Sequence, residues 1–236
     1  MTYYNYSKNI LTSVLFIFPF LIIYEFIAFF KFRNLSYQIR NTADIIIRDC
    51  ISIFTDNIML FYSFLLFLFV IFIVIFRLNE IKSFVFNLRY ITVMYAEGLF
   101  FGILLVILLN GINVFSYESF NMLIDNYLLS FYFCVGAAIW EEILFRLLLI
   151  NFIIFTLQYI DISAFFSVLI SIVISSILFS SFHYIGSLSD TFTMYTFLYR
   201  FLGGIYLSIL YYYRGIGISM MSHFIYDFLL ITIPIL

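Results

Sequence analysis

The chain has 236 residues, of which 65% are hydrophobic and only 10% charged, with a mean hydropathy of +1.14; soluble domains are nearer half apolar and a quarter charged. A net charge of −2 leaves no electrostatic footprint for nucleic acid, and Cys50 and Cys134, far apart and in no paired motif, exclude a disulfide scaffold or a cluster site. Long apolar runs recur from end to end, where a transmembrane β-barrel would need short alternating segments, so the expected class is an all-α polytopic transmembrane bundle.

In chain order the candidate spans are roughly 9–30, 58–76, 91–110, 128–158, 162–184, 191–212 and 216–236, which gives about seven to eight crossings. The first follows a single lysine, Lys8, without a small-residue cleavage site, and is expected to be a retained helix. It carries Pro19, a predicted kink, and Glu25; the third carries Glu97. Between the first two spans, near 34–57, "TADIIIRDCISIF" mixes apolar and charged positions and is too short to cross a bilayer, so an interfacial helix is predicted there. The fourth run is too long for one upright span and must tilt or project. No repeat or flexible linker divides the chain, which therefore reads as one integral membrane domain, 1–236, with N-terminal spans over 1–127. Positive charges balance across the predicted loops and leave the orientation open. The 20 tyrosines and 34 phenylalanines suit lipid-facing and interfacial positions. Abundant Phe, Ile, Tyr and Asn point to an AT-rich genome, hence to a bacterial plasma membrane.

The fourth run contains "AAIWEEILFRLLLI", with Glu141, Glu142 and Arg146 inside apolar sequence. One charge at mid-bilayer costs about 2.5–3.5 kcal/mol on insertion scales, so three left facing lipid would cost on the order of 8–10 kcal/mol. They must be paired or turned inward. Glu142 and Arg146, four apart, share a helix face and form an ion pair, whereas Glu141 lies about 100° round from Glu142 and is left aimed elsewhere. The two histidines of the chain, His183 and His223, fall in later apolar runs, and Asp227 stands four after His223 on the same face. All these groups lie in the last hundred or so residues, and they are expected to converge on one polar pocket between helices.

"EEILFR" (Glu141 to Arg146), "FSSFH" (Phe179 to His183) and "HFIYD" (His223 to Asp227) fit the EExxxR, FxxxH and HxxxN/D motifs in order. Over residues 128–236 the chain thus resembles the CAAX prenyl protease and bacteriocin-processing (CPBP, ABI) family of glutamic-type intramembrane proteases. The resemblance implies a helical bundle with a conical, membrane-open catalytic cavity. It further implies an endopeptidase of membrane-associated peptides or proteins that uses a water nucleophile and no cofactor. Carried over by motif, Glu141 activates the water and His183 helps to hold it. Glu142, Arg146 and Phe179 support them, and His223 with Asp227 faces the developing oxyanion. The family has Asn where this chain has Asp227. An ionised Asp cannot donate to an oxyanion, so Asp227 is expected to orient His223 or to be protonated itself.

Two alternatives use the same residues. Glu141, His183 and His223 are a legitimate zinc ligand set, although no H-E-x-x-H is present. A non-catalytic protein that confers bacteriocin immunity by binding a peptide, or a proton-coupled transporter, would also place acids in the membrane. Serine chemistry fits less well, because no G-x-S-x-G accompanies any serine and Ser180 and Ser181 only adjoin His183. An aspartyl dyad lacks a partner for Asp227, since Asp161 and Asp190 fall in predicted loops.

Overall fold

A computed structural model describes residues 2–31, 40–52, 85–110, 127–185 and 189–232. The predicted span at 58–76 lies outside them. The described residues are helical, without a strand. The helices are α1 (Tyr3–Lys8), α2 (Ile10–Lys31), α3 (Thr42–Ser52), α4 (Leu88–Asn110) and α5 (Tyr127–Glu141), followed by a π-helical stretch (Glu142–Ile150) that runs straight into α6 (Asn151–Tyr159). Then come α7 (Ala164–Phe182), α8 (Met194–Arg214) and α9 (Ile216–Thr232). Three of these, Ile10–Lys31, Leu88–Leu109 and Ala164–Phe182, are long and apolar enough to cross a membrane.

The polarity of α7 shows which solvent the molecule is built for. Ser167, Ser171, Ser175, Ser176 and Ser180 are fully buried, while Phe165, Phe166, Leu169, Val173, Ile174, Ile177 and Leu178 are exposed. In water that distribution would be inverted. In a bilayer it is the favourable one, because small hydroxylated residues let helices approach and hydrogen-bond across their interfaces. Ser175 Oγ donates to the Phe145 carbonyl at 2.8 Å and Ser180 Oγ to the Phe197 carbonyl at 2.7 Å, tying α7 to the π stretch and to α8. The exposed faces of α2 (Leu15, Phe18, Ile22, Phe26, Phe30) and α4 (Phe100, Ile103, Ile107) are equally apolar. This is an integral membrane protein.

Helix α9 runs through the middle, packed by α2, α4, α5, α8 and the π stretch. Its approach to α4 depends on glycine. A Cβ on Gly98 would lie 2.6 Å from Met221 Cβ, and one on Gly102 2.6 Å from Ile225 Cβ and 2.8 Å from the Ser222 carbonyl oxygen. The two glycines are four apart on one helix face, the small-xxx-small spacing of close membrane crossings. Gly215 turns the chain from α8 into α9 at φ 86°, a conformation that suits glycine. At that end Arg214 grips Glu97 with its Nε at 2.5 Å and Nη2 at 2.7 Å, and the Tyr3 hydroxyl donates to the same carboxylate, so α1, α4 and α8 are joined.

Pro19 lies inside α2, which continues through it. The Asn9 side chain accepts from the Leu11 N–H at 2.8 Å and so caps α2. Near 34–57 the sequence does form a helix, α3, in which Asp44 and Arg48 are buried, as is Arg40 just before it, while Ile46 and Asp49 are exposed. The long fourth run is continuous from Tyr127 to Tyr159, with the π stretch in its middle.

Replacing Gly98 or Gly102 by Ala should force α4 and α9 apart and destabilise the protein by about 1–3 kcal/mol, the usual cost of overpacking. Thermal unfolding in detergent micelles checks this. A neutral effect at both positions would show that the close crossing is not needed.

Candidate active site

The adjacent glutamates at the junction of α5 and the π stretch have different surroundings. Glu142 is fully buried and every oxygen is engaged. Its Oε1 lies 3.1 Å from Arg146 Nη1 and 2.9 Å from His223 Nδ1, and its Oε2 accepts from Ser219 Oγ at 2.6 Å. Arg146 is fully buried too, with its guanidinium over the Phe179 ring, 4.3 Å from the centroid. An arginine without water needs both a counter-charge and a polarisable neighbour, and it has one of each.

Glu141 is 5% exposed and more loosely held. Its Oε1 accepts from the Asn41 side-chain amide at 2.9 Å. Its Oε2 is buried with no hydrogen-bond partner and stands 4.0 Å from His223 Nε2. That same Nε2 is 3.5 Å from Asp227 Oδ2. The His223 ring therefore has Glu142 on one nitrogen and both Glu141 and Asp227 facing the other. The ring N–H held at hydrogen-bond distance by a carboxylate is the one that Glu142 holds; Asp227 stands at ion-pair distance from the opposite nitrogen.

His183 directs Nδ1 to the Phe179 carbonyl at 3.0 Å. A carbonyl only accepts, so Nδ1 carries the proton and Nε2 of a neutral ring presents a lone pair. The link between the histidines is Phe179, edge-on to both, with ring centroids 5.1 Å from His183 and 5.9 Å from His223. No hydrogen bond joins His183 to Glu141. Thus Glu141, Glu142, Arg146, His223 and Asp227 share a network of polar contacts, and His183 joins it through an aromatic ring.

The π stretch matters to this arrangement. A π turn closes its hydrogen bonds five residues apart, one more than an α turn, and such insertions are frequent at functional sites. Here it begins at Glu142 and contains Arg146, directly after the α-helical Glu141. The Phe145 carbonyl within it is satisfied by Ser175 from α7. Uniform α geometry was the expectation from sequence, and hydrophobic periodicity carries no signal for the change.

Asn41 is the contributor that sequence reasoning missed. It precedes α3, a hundred positions from Glu141, and no local motif marks it. Around it Arg40 makes two parallel bonds to Glu25, both 3.0 Å, and one to Asp44 at 2.9 Å. Arg48 bonds Asp44 at 2.6 Å and Glu25 at 3.0 Å. A cavity of about 230 Å³ elsewhere, lined by Lys8, Ser13, Leu147, Asn151, Tyr211 and Gly215 among others, borders none of these motif residues. Among the described residues, no group of three or more His, Cys, Asp or Glu side chains has the arrangement of a metal site.

Residues 123–229 match the family model for Rce1-like proteins, described as type II CAAX prenyl endopeptidase Rce1-like. No curated protein and no solved structure matches the chain significantly.

Removing Arg146 would leave Glu142 buried against His223 and Ser219 alone. Arg146→Ala should cost about 3–5 kcal/mol, the usual penalty for breaking a buried pair. Arg146→Lys should rescue little, lacking the planar face that rests on Phe179. The double replacement Glu142→Gln with Arg146→Met should regain much of the loss, because it removes both charges. Unfolding midpoints of the purified proteins test all three, and a double variant no more stable than Arg146→Ala would contradict the pairing argument.

Proposed function

We propose that this integral membrane protein, whose residues 123–229 are an Rce1-like type II CAAX prenyl endopeptidase domain, hydrolyses a peptide bond of a membrane-associated peptide or protein by means of a water activated at Glu141. The observation that carries the reading is the contrast between the glutamates. Glu142 is fully tied by Arg146, His223 and Ser219, while Glu141 keeps one oxygen free of hydrogen bonds beside His223 Nε2. Glu141 Oε2 thus keeps its acceptor capacity for a further donor beside His223.

The chemistry follows from those positions. A water that hydrogen-bonds both Glu141 Oε2 and His223 Nε2, at about 2.8 Å each, would subtend about 90° across their separation, which is within the range of water geometry. Glu141 takes one proton as the water oxygen attacks the scissile carbonyl carbon, and later returns it to the departing amine nitrogen as the C–N bond breaks. The lone pair on His183 Nε2 accepts from the same water and helps to aim it. His223 is fixed through Nδ1 by Glu142; when protonated, it presents Nε2–H to the carbonyl oxygen as negative charge grows there. Asp227 opposes that nitrogen and keeps the proton on the ring side of the pair. Glu142 and Arg146 set the geometry and do not touch the reacting atoms. The substrate class follows the family: a peptide whose C-terminal region is delivered by the membrane, as a prenylated CAAX tail would be.

Cleavage of a quenched fluorogenic farnesylated peptide with a CAAX ending, by full-length protein in nanodiscs, tests this. Glu141→Gln should lower kcat by about 10²–10⁴, the usual worth of a general base. EDTA and phenanthroline should leave the wild-type rate unchanged, whereas a Glu141, His183, His223 zinc site would lose its activity with them. Binding of the peptide without cleavage by wild-type protein would favour the peptide-binding alternative.

A further inference from the structure

We infer that Asn41 is a positioning residue for Glu141, and that α3 with its ion cluster is a built part of the active site rather than a separate surface helix. The inference deepens the proposed function and rests on Glu141 acting as the base.

Three observations orient the Asn41 amide. Its Oδ1 accepts from the Ala43 N–H at 2.8 Å, which caps α3. A backbone N–H is only a donor, so this atom must be the carbonyl oxygen and the amino group must point the other way. There it meets Glu141 Oε1 at 2.9 Å, with both residues buried. The Asn41 backbone N–H in turn donates to the Tyr24 hydroxyl at 3.3 Å, and that hydroxyl donates to Asp44 at 3.0 Å. The side chain is held from the α2 side, from the α3 side and by Glu141 itself.

The approach is built from α5 as well. A Cβ on Gly136 would lie 2.6 Å from Tyr24 Cε2 and 3.3 Å from Asn41 Cβ. Glycine at this position, five residues before Glu141, leaves room for the N-terminus of α3 to reach α5. The four charges behind it, Glu25, Arg40, Asp44 and Arg48, balance one another, so they clamp α3 to α2 without adding net charge near the base.

The consequence is directional. With Oε1 engaged by an amide that can only donate, the carboxylate cannot rotate freely, and Oε2 stays turned towards His223. A general base works from a fixed geometry, and misplacement by about 1 Å can cost on the order of a hundredfold.

Asn41→Asp and Asn41→Ser separate positioning from structure: both retain a side-chain acceptor for the α3 cap, while an ionised Asp has no donor for Glu141 and the shorter Ser side chain withdraws its hydroxyl from Glu141 Oε1. The full chain in nanodiscs is measured by infrared difference spectroscopy, with the Glu141 carboxyl band assigned by its loss in Glu141→Gln. In both variants that band should shift in frequency, because the hydrogen bond to Oε1 is lost, and furthest in Asn41→Asp, where two carboxyl groups face each other. On the farnesylated CAAX peptide, kcat should fall about tenfold or more with KM within about threefold, while the unfolding midpoint stays within a few degrees. If Asn41→Asp does not fold, Asn41→Ser carries the comparison. A Glu141 band and a kcat that match the wild type in the folded variants overturn the inference and leave the base assignment standing. Glu141→Gln that still cleaves overturns the base assignment, and the inference falls with it.

Discussion

Neutralising Glu142, which is fully buried, is the constraint on which the structure turns. A buried ion pair alone contributes little net stability, because desolvation offsets much of the attraction. What the pair does here is fix geometry. Both oxygens of Glu142 are taken, one by Arg146 and His223 and the other by Ser219. Ser219 and His223 stand four apart on α9, so the carboxylate pins one face of α9 against the π stretch. A slip of one residue along α9 would remove both partners. The same contacts that solve the electrostatic problem of the membrane therefore set the position of the His223 ring.

Short-range relations in this site were legible in the sequence and long-range ones were not. The Glu142–Arg146 and His223–Asp227 pairs follow from a spacing of four, and both meet in space. The bond from His223 to Glu142 spans 81 positions and that from Asn41 to Glu141 spans 100, beyond the reach of helical periodicity. The helix near 34–57 was visible as mixed apolar and charged sequence, but that mixture fits a charged face turned to lipid headgroups as well as one turned to protein. Only Glu25 on the neighbouring helix decides between them. The serines of α7 did carry a signal: positions 167, 171 and 175 share one face, and a polar stripe on an otherwise apolar span marks an interface. Ser180 and Ser181, beside His183, instead spend their hydroxyl protons on the carbonyls of Phe197 and Ile177.

The family match begins at residue 123, whereas α2 and α3 lie wholly before it. The side chain on Glu141 Oε1 thus comes from the part of the chain that the family motifs do not describe. Gly136 supplies the complementary evidence from within the matched region, since its missing side chain is what admits Tyr24 and Asn41. The two halves are shaped to each other at Glu141.

Among the described residues, ion pairs neutralise buried or half-buried charges at several places, as an apolar solvent demands. Glu97 meets Arg214, Asp190 meets Arg200, and Glu25 with Asp44 meets Arg40 with Arg48. In each of these, acids and bases are equal in number, which is what a purely structural cluster requires. The motif cluster is different. Glu141, Glu142 and Asp227 face Arg146 and a histidine that is cationic only when protonated, so three acids meet two basic groups and the balance depends on where protons sit. A buried group of unequal acids and bases costs stability unless protons are shared within it, which is the property the proposed hydrolysis would use.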